Sequence, residues 1–200
     1  MKDSVRDSIY GPYEEELREV MERMEKRIRK ETLYEHILVR LKDEQSMREK
    51  CVRKGLPETT ESALSEIRDA VGFRIVCGFV DDIYEDIRRI RAFDGITVVS
   101  EKDYIRNVKP NGYRSYHMIL KTPGITRDFY MEIQLRTIAM DSWASLEHQM
   151  KYKRNVRNQD LIVQELKRCA DELASCDISM QTIRKLIEED TGHEDPAGGR

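Results

Sequence analysis

No apolar run in the 200 residues approaches the roughly 20 that a membrane-spanning helix requires. The opening MKDSVRDS contains no hydrophobic core segment, so no secretory leader is read there and the expected location is cytoplasmic. The four cysteines, Cys51, Cys77, Cys169 and Cys176, never take CxxC spacing. That pattern fits free thiols and argues against a zinc or disulfide framework. GxxxxGK[ST] is missing, which excludes a P-loop, and so is GxGxxG after a strand, which excludes the dinucleotide fingerprint. Glu147-His148 has no second histidine at metal spacing, and no serine or cysteine nucleophile elbow occurs. A net charge of −3 speaks against a dedicated duplex-binding protein. No internal repeat is present.

What the chain has instead is charge, unevenly spread. Charged residues make up 36% and hydrophobic residues 39%, as in a helix-rich domain with exposed charged faces. Ile105–Arg114 holds Arg106, Lys109 and Arg114 without an acid, and Arg40–Lys54 holds more cations than acids. Local positive patches in a mildly acidic chain suit small polyanions such as nucleotides.

Phe129–Tyr152 organises the rest. Phe129, Met131, Ile133 and Leu135 alternate with Tyr130, Glu132, Gln134 and Arg136, so this stretch reads as a strand with one apolar and one polar face. Ala139, Met140, Trp143, Leu146 and Met150 then recur at threes and fours, an amphipathic helix. Upstream, Tyr13–Lys30 reads as a helix, Leu33–Leu41 as a short segment and Thr59–Ile67 as a short helix started by Thr59 or Thr60. Val71–Phe79 reads as a buried strand and Asp81–Phe93 as a helix. Ile96–Tyr104 and Ser115–Lys121 are strands joined through the turn Pro110-Asn111-Gly112. Gln159–Glu189 is one long helix with more apolar positions than a helix lying alone on a small domain needs, and Thr191–Arg200 reads as disordered. The pattern alone supports about four strands and an α/β or α+β class with a mixed sheet.

Two acids stand out, Asp69 before one central strand and Glu132 within another. Carboxylates from neighbouring strands hold Mg²⁺ when waters and phosphates complete the octahedron. Spacing equally allows Asp69 to be a cap or salt-bridge partner and Glu132 a solvent-side residue. Ser46, Lys50 and Arg53 share a helical face, and Arg40 and Lys42 alternate as in extended chain. Such a face grips a triphosphate or is simply solvated. Arg74 lies in a strongly apolar strand, where an unpaired guanidinium is costly, and therefore requires a carboxylate, phosphate or ring. Around the turn, Tyr113 can stack on a base while Lys109 and His117 reach phosphates, or the segment is a packed hairpin.

Three long motifs in order, RDAVGFRI at Arg68–Ile75, DYIRNVKPNGYRSYH at Asp103–His117, and EIQLRT with WASLEH across Glu132–His148, resemble the synthetase domain of RelA/SpoT-type alarmone synthetases. The resemblance spans roughly Leu33–Lys153. With neither hydrolase nor regulatory regions in these 200 residues, the chain is similar to the stand-alone small synthetases of RelQ and RelP type. The resemblance implies a nucleotidyltransferase-like mixed sheet of about five strands flanked by helices. It implies a domain at 33–153, a helical extension at 1–32, an oligomerisation helix at 154–190 and a tail at 191–200. The implied reaction moves the β,γ-diphosphate of ATP to the 3′-hydroxyl of GDP or GTP. Arg40 and Arg74 would sandwich adenine, and Lys42, Ser46, Lys50 and Arg53 would hold the ATP phosphates. Asp69 and Glu132 would bind Mg²⁺, with Glu132 also activating the hydroxyl. Tyr113 would stack on guanine, Lys109 and His117 would meet acceptor phosphates, and Gln134 would help place the acceptor. A homotetramer is the implied assembly. Tyr116, where many relatives have leucine, is a departure expected to be harmless. The alternatives are a relative acting on an adenosine nucleotide or a tRNA end, and a non-catalytic regulator binding nucleotide or single-stranded RNA.

Overall fold

The computed structural model describes residues 8–151 and 158–191. Of the segment read as a disordered tail, only Thr191 falls within them. The elements, in order, are α1 (Glu14–Glu31), β1 (His36–Leu41), α2 (Glu44–Arg53), β2 (Val71–Cys77), α3 (Val80–Arg91), β3 (Thr97–Asp103), β4 (Tyr116–Pro123), β5 (Asp128–Thr137), α4 (Ile138–Lys151) and α5 (Gln159–Thr191). Among the described residues, no helix is long and apolar enough to cross a membrane.

The five strands form one mixed sheet in the order β1-β2-β5-β4-β3. β2 and β5 run parallel in the middle, and the other pairs are antiparallel. The strand that the pattern under-read is β1. It lies at the edge and alternates between exposed and half-buried positions, so it shows none of the apolar density that marks β2. β4 begins at Tyr116, one residue later than the Ser115 start read from the pattern, and Ser115 just before it donates its hydroxyl to the Leu135 carbonyl of β5 at 3.2 Å.

Period two on β5 does what alternation requires. Phe129, Met131, Ile133 and Leu135 are fully buried in the main core, against Phe73, Ile75, Met118 and Leu120. Leu17, Val20, Met24 and Ile28 of α1 and Ile83, Ile87 and Ile90 of α3 cover that side of the sheet. The helix read as an N-terminal extension thus shares the core of the strands. Glu14, Glu15 and Glu16 in its first turn and Arg29 and Lys30 in its last complement the helix dipole. Tyr10, buried just before α1, donates its hydroxyl to the Lys42 carbonyl at 2.5 Å and so pins the β1–α2 junction.

Thr59–Ile67 is helical but wider than expected. Ser62–Glu66 forms a π turn closed by Ile67 N–H to the Ser62 carbonyl, and the Ser62 N–H meets Thr59 Oγ1. The chain leaves this turn at Ile67 and presents Asp69 at the mouth of β2.

Candidate active site

With the apolar residues of β5 turned into the core, the opposite face of the sheet must carry the rest. Register places Glu132 beside Gly72, and Gln134 beside both Arg74 and His117. Arg40 of β1 pairs with Gly72 from the other side. Gly72 has no side chain to fill the gap between Arg40 and Glu132, and a cleft of about 280 Å³ opens there. Arg40, Asp69, Gly72, Arg74, Glu132 and Gln134 line it. The two acids therefore face one space.

Asp69 is held by two ammoniums, Lys50 Nζ at 2.5 Å and Lys42 Nζ at 3.2 Å. Lys42 is aimed there by a β1-to-β2 bond, its N–H meeting the Ala70 carbonyl at 2.8 Å. The other carboxylate oxygen, Oδ1, is buried with no hydrogen-bond partner. A buried oxygen left so is costly and needs a donor or a cation.

Glu132 is anchored from both sides. Its Oε2 accepts from Gln134 Nε2 at 2.8 Å, and Oε1 lies 3.3 Å from His117 Nδ1. Burial pushes the carboxyl up, but the bonds from His117 and Gln134, with the charge of Lys50, outweigh it and hold the pKa at about 2. Lys50, bound to Asp69, thus also acts on Glu132. Two carboxylate oxygen sets beside an orphaned buried oxygen fit a hard divalent cation. Among the described residues no group of three or more metal-binding side chains is gathered, so the remaining positions would fall to water and phosphate.

Beyond Glu132 a chain of contacts runs toward α4. His117 Nε2 meets the Tyr113 hydroxyl at 2.8 Å, and that hydroxyl accepts from Arg136 Nη2 at 2.9 Å. Arg136 also donates to Gln134 Oε1 at 3.0 Å and to Asp141 Oδ1 at 2.8 Å. Lys109 Nζ lies over the Tyr113 ring at 4.7 Å and over Tyr104 at 4.3 Å. One face of the Tyr113 ring is thus covered by an ammonium.

The remaining sequence-chosen residues stand on α2. Asp43 caps that helix, accepting from the Ser46 N–H at 2.9 Å and from the Ser46 side chain, and these bonds hold its carboxyl below the usual range. Arg53 is exposed in the last turn of α2 and does not line the cleft. Arg74 has the carboxylate partner that its burial required, Asp141 Oδ1 at 3.3 Å from Nη1, while its Nε is buried without one. Reasoning from sequence gave no role to Arg136, Asp141 or Tyr104. Arg136 alone had a visible signal, its place on the polar face of β5.

The turn carrying Lys109 is seated on α5. Gly112 N–H closes it onto the Lys109 carbonyl at 2.8 Å, with Gly112 at φ +90°. A Cβ on Gly112 would stand 2.6 Å from Ala170 Cβ and 3.2 Å from Lys167 Cα. Arg114 crosses the same seam to the Ala170 carbonyl at 3.2 Å and to Asp171 Oδ1 at 2.8 Å. Gly112→Ala is therefore expected to cost about 2–3 kcal/mol from the left-handed backbone and the overlap together. Thermal unfolding checks this, and a Tm unchanged from wild type would show that the turn does not need its seat on α5.

Residues 39–157 match the family model described as the region found in RelA/SpoT proteins. The chain belongs to that family. This RelA/SpoT chain is 41% identical over 158 residues to the GTP pyrophosphokinase YwaC of Bacillus subtilis, covering 77% of this chain and 75% of that protein. It is 33% identical over 202 residues to GTP pyrophosphokinase YjbM of the same organism, covering 94% and 93%. Among solved structures, small alarmone synthetase 1 from Bacillus subtilis bound to its product pppGpp superposes with a TM-score of 0.76 at 30% identity. That match covers 86% of the RelA/SpoT chain and 95% of the other.

Proposed function

We propose that this protein is a stand-alone (p)ppGpp synthetase, transferring the β,γ-diphosphate of ATP to the 3′-hydroxyl of GDP or GTP with release of AMP. The observation that carries it is the meeting of Asp69 and Glu132 in one cleft, beside Arg40, Arg74 and the Lys42–Lys50 pair. The GTP pyrophosphokinase and pppGpp-bound relatives support the same reading.

The 3′-oxygen attacks the β-phosphorus, the bond from that phosphorus to the α,β-bridging oxygen breaks, and AMP leaves. Such a transfer asks the protein for in-line placement and charge neutralisation more than for covalent chemistry. Arg40 and Arg74 take the adenine side, and Lys42, Ser46, Lys50 and Arg53 the phosphates. Asp69 and Glu132 would hold Mg²⁺, which when bound neutralises charge on the phosphate oxygens. Glu132, ionised near neutrality and anchored by His117 and Gln134, is set to orient the 3′-hydroxyl and to activate it. It accepts the hydrogen bond of the 3′-hydroxyl and directs a lone pair, and the proton passes to the Glu132 carboxylate late in a loose transition state and from there to solvent. Tyr113 receives guanine, Gln134 helps place the acceptor, and Lys109 and His117 meet its phosphates.

The exposed apolar residues of α5, among them Ile178, Ile183, Leu186 and Ile187, support a homotetramer built through this helix.

Purified protein given ATP and each acceptor in turn, with products separated by chromatography, tests the reaction. AMP with ppGpp or pppGpp is expected; AMP only with adenosine nucleotides or tRNA ends would replace this reading by the other-acceptor one. Tyr113→Ala is expected to weaken the guanosine acceptor about tenfold or more, the value of one base stack, and ATP much less. Equal losses for both nucleotides would remove the stacking role.

A further inference from the structure

Asp141 stands in the first turn of α4, between the EIQLRT and WASLEH stretches. Its side chain is 13% exposed, and its Oδ1 lies between two guanidiniums: 2.8 Å from Arg136 Nη1 and 3.3 Å from Arg74 Nη1. Its Oδ2 lies 3.9 Å from His36 Nε2. The two arginines serve different halves of the cleft. Arg74 faces the cleft from β2, on the side where β1 brings Arg40. Arg136 holds the Tyr113 hydroxyl and Gln134 Oε1, and through Tyr113 it reaches His117. One carboxylate oxygen thus restrains a side chain of the donor half and the hub of the acceptor half.

The electrostatics make that sharing consequential. Burial and the charge of Arg136 push the Arg74 guanidinium down, and Asp141 pushes it back up. Like charges so close separate unless an anion lies between them. Arg74 moreover keeps a buried Nε without a partner, a donor still open to a ligand. A nucleotide that engages Arg74 draws it away from Asp141, whose carboxylate then belongs to Arg136 alone. Arg136 in turn sets Tyr113 and Gln134 more firmly.

Resting on the reading of this cleft as a two-nucleotide site, we infer that Asp141 is a positioning residue that couples the half-sites, so that filling the ATP side tightens the guanosine side. Linkage makes the effect reciprocal.

The test measures GDP affinity with and without a non-hydrolysable ATP analogue. In wild type the analogue is expected to tighten GDP about fivefold or more, the low end of ordinary couplings. Asp141→Asn, similar in shape but uncharged, is expected to abolish the coupling, and Asp141→Glu to restore part of it. Hydrogen exchange on wild type supplies a readout that does not depend on a variant folding. The analogue should increase protection of the 109–115 segment. Coupling retained in Asp141→Asn, or no change in exchange at 109–115, overturns the inference. Wild type that makes no AMP from ATP and GDP would overturn the functional reading instead, so the two failures are distinguishable.

Discussion

Replacing Glu132 by glutamine is expected to lower kcat about a thousandfold or more, equivalent to about 4 kcal/mol, with the fold intact. The substitution preserves volume and leaves Ile133 and Met131 in the core, where they are fully buried. It removes a charge from the only position on β5 that faces both Gly72 and the cleft. It also inverts a contact, because an amide N–H₂ now meets either His117 Nδ1 or the Gln134 amide where a carboxylate accepted from both. The carboxylate's ionisation gives a further expectation. Its folded pKa of about 2 lies below the ordinary 4.5, so the ionised form adds stability above about 4.5 and that contribution is lost as pH falls through 2. Wild type and Glu132→Gln should therefore converge in stability only in strong acid. Near neutrality the residue does not titrate, so the variant should be impaired at every pH between about 6 and 9 without a shifted optimum. Turnover of ATP and GDP within a few-fold of wild type would take Glu132 out of the mechanism.

Asp69→Asn should separate binding from turnover. In the wild type two ammoniums, Lys42 and Lys50, share one carboxylate. Once that carboxylate is neutral they repel each other in a half-buried site. The expected cost is about 1–3 kcal/mol, less than for a fully buried pair because lysine stems let the charges swing toward water. Thermal unfolding should show it as a fall in Tm of about 3–8 °C. The same loss releases both lysines toward a triphosphate. ATP affinity measured without divalent ions should thus hold or improve, while kcat falls about a hundredfold or more. Weakened ATP binding with unchanged kcat would show that Asp69 serves only to hold the lysines.

The sequence by itself determined the periodic parts. Alternation on β5 predicted which side chains enter the core, and of the apolar stripe Leu17, Val20, Met21, Met24 and Ile28 on α1 all are buried but Met21, which is half-buried, because burial of apolar area acts through residue type and period. It also supplied Asp69, Glu132 and the cations around them, as the resemblance carried them. Tertiary structure decided the rest. The edge strand β1 was faint because a half-exposed strand need not be apolar. The π turn before Asp69 follows from hydrogen bonds that no pattern displays. Arg136 and Asp141 belong to the site only because β5 and α4 meet at a sharp junction, which brings a strand guanidinium onto a helix carboxylate five residues away. Ion pairs and hydrogen bonds act over a few ångströms and in chosen directions, so which of many charged residues become partners is settled by where the packed core places their backbones.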